Sequence, residues 1–247
     1  MMLPLFSNLF KSSLPEGFFK GACDIHSHLL PGVDDGFPSK EKTLEALEFL
    51  KNHGISKVKM TPHFMKDYPE NTRANIEKAF GEFTEETKNK AIPHLSLGGE
   101  YMLDSAFPQR VEEGLLTLNN EYKIVLCETS YMMMEPGAKE MLYDVMLKGY
   151  QPVMAHPERY NYANMSLYKR WKEKDYLFQL NLLSLAGAYG KPAQDKAFLM
   201  LKEGMYDYVG SDLHRLDRVQ GMVSSIKMTS KETDALLLLM ENNRRLG

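Results

Sequence analysis

The chain has 247 residues, 43% of them hydrophobic, and its 30 basic and 33 acidic side chains leave a net charge of −3. That length, without a Pro/Gly/Ser-rich linker, fits one large domain better than two small ones. The interspersed charges leave no basic stripe and argue against a nucleic-acid partner. Cys23 and Cys127 each sit in an apolar run, cannot build a disulfide scaffold, and point to a reducing cytoplasm.

Residues 1–20 are apolar, but Pro4 interrupts them, and neither a basic n-region nor a small-residue cleavage site accompanies them. They are expected to form a docked N-terminal arm to a domain spanning 21–247, with surface or membrane attachment as the alternative. No later stretch reaches the ~20 apolar residues of a transmembrane segment. Strand character falls at about 22–28, 56–62, 94–101, 123–129, 151–156, 176–183 and 206–212. Helical periodicity lies between these runs, for example at 39–53 and 71–90. Gly54, Gly114, Gly149 and Gly204 each fall where a helix ends, and Ser39 and Ser230 read as helix starts. The last helix, 231–245, is expected to cover one end. Repeated β-then-α units imply a parallel sheet flanked by helices, so the expected fold is an α/β barrel in a single domain, with an open doubly wound sheet as the competitor.

The polar residues fall at the strand ends. The first run ends in His26 and His28, the second in Thr61-Pro62-His63, the third in Gly98-Gly99-Glu100 and the fourth in Cys127-Glu128-Thr129. The fifth ends in His156-Pro157-Glu158-Arg159 and the seventh in Ser211-Asp212-Leu213-His214. In a barrel these ends share one rim. Alternate residues of a strand point the same way, so His26/His28 and Asp212/His214 can each aim two donors at one pocket. Imidazole and carboxylate together suit Mn, Fe or Zn. His53 and His94 lie outside the pattern and read as structural.

The order HxH, DDG, TPH, GGE, an isolated Glu, HPERY and GSDxH resembles the polymerase and histidinol phosphatase (PHP) superfamily. Asp35 and Glu128 stand where other members commonly carry histidine, and in this the chain is similar to the bacterial metal-dependent protein tyrosine phosphatases of capsule and exopolysaccharide synthesis. The resemblance implies a distorted (β/α)7 barrel holding three divalent metal ions, with Mn expected and Fe or Zn as alternatives. The first ion would take His26, His28, Glu100 and Asp212, the second Glu100, Glu128 and His156, and the third Asp35, His63 and His214. Three divalent ions against the carboxylates of Asp35, Glu100, Glu128 and Asp212 leave a positive balance that attracts a phosphate dianion.

The expected reaction is in-line attack on phosphotyrosine by a metal-bridging hydroxide, without a phosphoenzyme. Arg159 would contact the phosphoryl oxygens, a surface salt bridge with Glu158 being its alternative role. Arg218 would supply a second such contact, with Arg215 in reserve. The implied partner is an autophosphorylating bacterial tyrosine kinase. Tyr160, Tyr162, Phe64 and the loop Tyr131–Met134 offer apolar walls for an aromatic substrate, and that loop offers a lip for a docking protein. Neither cysteine can serve a C-x5-R nucleophile, since the sixth residues onward are Leu29 and Met133. The alternative functions are a small-metabolite phosphatase such as histidinol phosphatase, a nuclease, or a non-catalytic metal-binding scaffold.

Overall fold

A computed structural model describes residues 11–246, apart from the side chains of residues 218 and 220. The strands are β1 Ser12–Ser13, β2 Ala22–Asp24, β3 Ile55–Met60, β4 His63–Phe64, β5 His94–Leu97, β6 Glu100–Met102, β7 Ile124–Glu128, β8 Gln151–Ala155, β9 Leu177–Asn181, β10 Tyr208–Gly210 and β11 Lys227–Met228. The helices are α1 Lys40–Asn52, α2 Arg73–Thr87, α3 Phe107–Glu113, α4 Ala138–Leu147, α5 Met165–Lys172, α6 Leu182–Leu185, α7 Lys191–Lys202, α8 Leu216–Met222 and α9 Ser230–Arg244.

Strands β2 to β10 pair in parallel, in the orders β2-β3-β5 and β10-β9-β8-β7-β6-β4. The second and third sequence runs are each bent once, at Thr61-Pro62 and Gly98-Gly99. Pairing resumes in the same register beyond the bend, Met60 opposite Leu97 and His63 opposite Glu100. The bend needs glycine at position 99, where a Cβ would lie 2.8 Å from the stacked rings of Phe64 and Tyr101. The ends of the first and last parallel strands meet through the Ser27/Leu213 bridge, with Asp212 N–H donating to His26 O at 2.8 Å and His28 N–H to Leu213 O at 3.0 Å.

The strands divide their side chains by parity. Val125, Cys127, Met154 and Phe178 face the helices, packing with Leu142, Val145, Tyr168 and Trp171. Ile124, Leu126, Val153 and Ala155 face the other way and pack with Cys23 and Ile25 from β2 and its extension. The result is a single-domain mixed α/β fold on a parallel sheet. Both cysteines are buried and free.

Two element starts differ from the sequence expectation. The last helix is capped by Thr229 rather than Ser230, through a capping box with Glu232. The sixth run stops at Asn181, whose side chain caps the short helix α6. Of the expected N-terminal arm, residues 1–10 lie outside the described residues, while Ser12–Ser13 pair antiparallel with β11. No helix among the described residues is long and apolar enough to cross a membrane.

Candidate metal centre

The nine residues expected as ligands converge at the C-terminal ends of the parallel strands. Glu100, the first residue of β6, is the hub. Its Oε2 lies 3.2 Å from His26 Nε2 and from His28 Nε2 and 3.1 Å from His63 Nδ1, while Oε1 lies 3.1 Å from His156 Nε2. Asp212 Oδ1 is 3.4 Å from both His26 and His28 and 3.3 Å from His214 Nδ1. Glu128, at the end of β7, puts Oε1 3.2 Å from His63 Nδ1 and Oε2 3.7 Å from His156. Asp35 Oδ1 completes the outer edge, 3.5 Å from His63 Nε2 and 3.3 Å from His214 Nε2.

The chain that continues beyond β2 splits neighbouring residues between site and scaffold. His26 and His28 face the cluster, while the Ser27 hydroxyl on the opposite side donates to Lys59 O at 2.9 Å. Asp212 and His214 also face the cluster, with Leu213 buried between them, although the backbone turns at Asp212 instead of running extended. Two of the nine have backbone in the left-handed region, His156 at φ 35° and Asp212 at φ 52°. Strain of this kind persists only where surrounding contacts hold it.

Three tight groups of donor atoms emerge: His26, His28, Glu100 and Asp212; His28, Asp35, His63 and His214; and His63, Glu100 and Glu128. The first coincides with the expected set for one ion. In the others the structure adds His28 beside Asp35 and brings His63 Nδ1 to Glu100 and Glu128, where His156 was expected. His63 therefore offers one ring nitrogen to each of two groups.

The donors fit divalent cations. Glu100 Oε2, Glu128 Oε1 and His63 Nδ1 are buried without a hydrogen-bond partner although His63 Nδ1 lies 3.1 Å from the first and 3.2 Å from the second. A packed polar network satisfies such atoms, whereas atoms aimed at a common cation need not bond each other. The neutral and charged donors are those that Mn, Fe and Zn accept.

Protonation in the metal-free protein shows the same pull. Burial alone would strip the histidines, but the carboxylates of Glu100 and Asp212 raise His26, and Asp34, Asp212 and Glu100 raise His28 well above the ordinary range. Burial works against ionised Glu100 and Asp212 too, yet the imidazoles hold both well below the usual carboxylate range. Asp35 is lowered to about 2, chiefly by its hydrogen bond to His214.

Outside the cluster, Asp34 Oδ2 accepts from His28 Nδ1 at 2.8 Å and from His63 N–H at 3.0 Å. His26 Nδ1 meets Gln179 Oε1 at 2.9 Å. Both bonds fix a ring so that Nε2 faces the cluster. Asp24 accepts from Ser211 N–H at 3.0 Å and from the Ser211 hydroxyl at 2.5 Å, joining β2 to the loop that carries Asp212.

Arg159 pairs with Asp212 Oδ2 at 2.6 Å, not with Glu158. Glu158 is buried and accepts from Ser184, Tyr206 and the Asn181 N–H. The Arg218 side chain lies outside the described residues, and Arg215 is exposed at the start of α8. Two expected substrate walls belong to the core instead. Phe64 stacks on Tyr101, and Tyr160 is buried with its hydroxyl donating to Ala155 O. Tyr162 stacks on Tyr160 and bonds Thr129. Tyr131 does reach the site edge, beside exposed Met132 and Met133. Tyr189, against Arg159, and Tyr68, parallel to His63, join it there without having been expected. His53 and His94 are exposed and apart from the cluster.

The family model for capsular polysaccharide synthesis, CpsB/CapC, matches residues 22–246. The chain is 30% identical to tyrosine-protein phosphatase YwqE of Bacillus subtilis over 196 residues, 78% of this chain and 77% of the relative. It is likewise 30% identical to tyrosine-protein phosphatase CpsB of Streptococcus agalactiae over 208 residues, 78% of this chain and 83% of the relative. A crystal structure described as YwqE from Bacillus subtilis and CpsB from Streptococcus pneumoniae, unique metal-dependent tyrosine phosphatases, superposes with a TM-score of 0.77. It shares 27% identity and covers 91% of this chain and 93% of its own. With a family model that spans every parallel strand and all nine clustered residues, the chain belongs to the CpsB/CapC family of capsular polysaccharide synthesis.

Proposed function

We propose that this protein is a metal-dependent protein tyrosine phosphatase of polysaccharide synthesis. The observation that carries the reading is Glu100 surrounded by four imidazoles, with the Arg159 guanidinium at the edge of the same cluster. His26, His28, Asp35, His63, Glu100, Glu128, His156, Asp212 and His214 are read as ligands of three divalent ions, with Mn preferred and Glu100 shared. Bound there, divalent metal supplies Lewis acidity toward phosphoryl oxygens and water acidic enough to ionise near neutral pH.

The chain's own residues do the rest. Asp34 and Gln179 keep the rings of His28 and His26 turned toward the cluster. Arg159 presents a planar fork to the phosphoryl oxygens, and Arg218 is the candidate for a second contact. A tyrosyl phenolate, with a pKa near ~10, leaves without strong acid assistance. The strand order, the preserved register across both bends and the Ser27/Leu213 bridge support a distorted (β/α)7 barrel formed by residues 21–246, with α9 as a cover. The proposed partner is an autophosphorylating bacterial tyrosine kinase in the cytoplasm.

The test is hydrolysis of a phosphotyrosine peptide, histidinol phosphate and single-stranded DNA by protein reconstituted with Mn, Fe or Zn. The peptide should be preferred, and His156→Ala and Asp212→Ala should each lose about 100-fold or more. A strong preference for the metabolite or for DNA, or no turnover with any metal, overturns the proposal.

A further inference from the structure

The Arg159 guanidinium lies against two tyrosine rings. Its Cζ lies 4.3 Å from the ring centroid of Tyr131, in the loop after β7, and 4.0 Å from that of Tyr189, in the loop after α6. At its N–H edge, Nη1 donates to Asp212 Oδ2 at 2.6 Å and Nη2 to the Tyr131 hydroxyl at 2.7 Å. Tyr189 is fixed in turn, its hydroxyl accepting from Asn181 Nδ2 at 3.1 Å. The same Asn181 amide donates to Asp212 Oδ2 at 2.8 Å.

We propose that Tyr131 and Tyr189 are positioning residues that bracket Arg159 and preset its fork for a phosphate monoester at the metal cluster. The inference rests on the phosphatase reading above. Cation–π contact engages the faces of a guanidinium and leaves its N–H edge for an oxyanion. An arginine already held in this way loses little further rotamer freedom when phosphate arrives. Exchange of Asp212 for a phosphoryl oxygen leaves no orphaned acceptor, because Asn181 continues to donate to Asp212 Oδ2. The Tyr131 hydroxyl is free to follow Arg159 or turn to water, the residue being 39% exposed.

The rival account is that both rings merely pack their loops. Mn-loaded wild type, Tyr189→Leu, Tyr131→Leu and Tyr189→Phe are compared, with each leucine change repeated in an Arg159→Ala background. The readouts are metal stoichiometry, calorimetric binding of inorganic phosphate, and KM and kcat on a phosphotyrosine peptide. Each leucine variant should weaken phosphate and raise KM about tenfold with metal stoichiometry unchanged. Tyr189→Phe should restore most of the loss, and in the Arg159→Ala background the leucine changes should add nothing. Unchanged phosphate affinity in the leucine variants, or an equal loss without Arg159, overturns the clamp. Should Tyr189→Leu fail to fold, Tyr131→Leu at the exposed ring carries the same decision. An inactive wild type whose phosphate binding still depends on both rings would overturn the phosphatase reading and leave the clamp standing.

Discussion

Loading the cluster with divalent metal should expel protons, and His63 sets the scale. Burial and the charge of His28 push its pKa down, but the carboxylates of Glu100 and Glu128, 3.1 and 3.2 Å from Nδ1, outweigh both and bring it to about 10. A histidine must be neutral to give its nitrogen lone pair to a metal. At pH 8 a group of that pKa is protonated about 100 to 1, so an ion using His63 forfeits roughly two decades of affinity, or about 2.7 kcal/mol. The sign follows directly: metal-free protein binds the proton, loaded protein does not, so apparent affinity rises about tenfold per pH unit until pH passes ~10. His26 and His28, also raised, shift the proton count the same way. Calorimetric titration with Mn at pH 8 in two buffers of different ionisation enthalpy measures the protons released per ion. His63→Gln should lower that count by about one and thereby separate the histidine from ionisation of bound water. Stoichiometric metal uptake with no proton release at pH 8, or a count unaltered in His63→Gln, refutes the reasoning.

Three further perturbations probe the supporting structure. Asp34→Asn offers the His28 ring an amide that can donate to Nδ1 and turn the lone pair away from the cluster; metal affinity in a chelator competition should fall ~10–100-fold, and an unchanged affinity would mean the ring needs no such partner. Gly36→Ala places a Cβ 2.1 Å from His28 O and 2.6 Å from His28 Cβ, so the loop bearing Asp34 and Asp35 must shift; denaturant melts should show a loss of about 1–3 kcal/mol, and full stability with full metal uptake would contradict the packing. Asn243→Leu leaves Cys23 O, Val209 O and Val209 N–H without the side chain that joins them, which should cost about 3 kcal/mol; a melting temperature equal to wild type would show that water replaces it.

What the sequence made legible was whatever depends on strand periodicity. His26/His28 could be paired because alternate residues of extended backbone share a side, and Glu100 and Glu128 because each sits at a strand terminus; the same rule brought Asp212 and His214 together, although the backbone reaches that arrangement through a turn at Asp212. The same rule, applied one step further, removes Phe64 from the site: it follows His63 on the strand and so faces the core, where it stacks on Tyr101. Tyr160 was misplaced for a similar reason, nearness in sequence to Arg159 being taken for nearness in space. Thr229 was within reach, since Thr229 and Glu232 hold the spacing of a capping box. Gln179, Asn181 and Tyr189 carried no such signal. A glutamine mid-strand and a tyrosine in a loop become partners of His26, Asp212 and Arg159 only because β9 lies between β8 and β10 and its Gln179 meets the segment after β2, and pairing of that range is a property of the assembled sheet.

The junction between β2 and β10 shows why the site lies where it does. These strands share no regular ladder; they are tied at one end by Asn243 from α9, further along by Asp24 to Ser211, and beyond that by the short bridge at Ser27 and Leu213. Side chains thus take over the work of backbone pairing along this seam. The backbone freed from the ladder can turn at Asp212, whose φ of 52° a regular strand would forbid. That turn aims Asp212 Oδ1 at the histidines of the neighbouring strand while Oδ2 faces Arg159 and Asn181. A strained residue of this kind costs about 1–3 kcal/mol, and it persists here because its own N–H, both carboxylate oxygens and the seam on either side are all engaged. The irregular seam is therefore what lets one carboxylate face the histidine cluster on one side and Arg159 on the other.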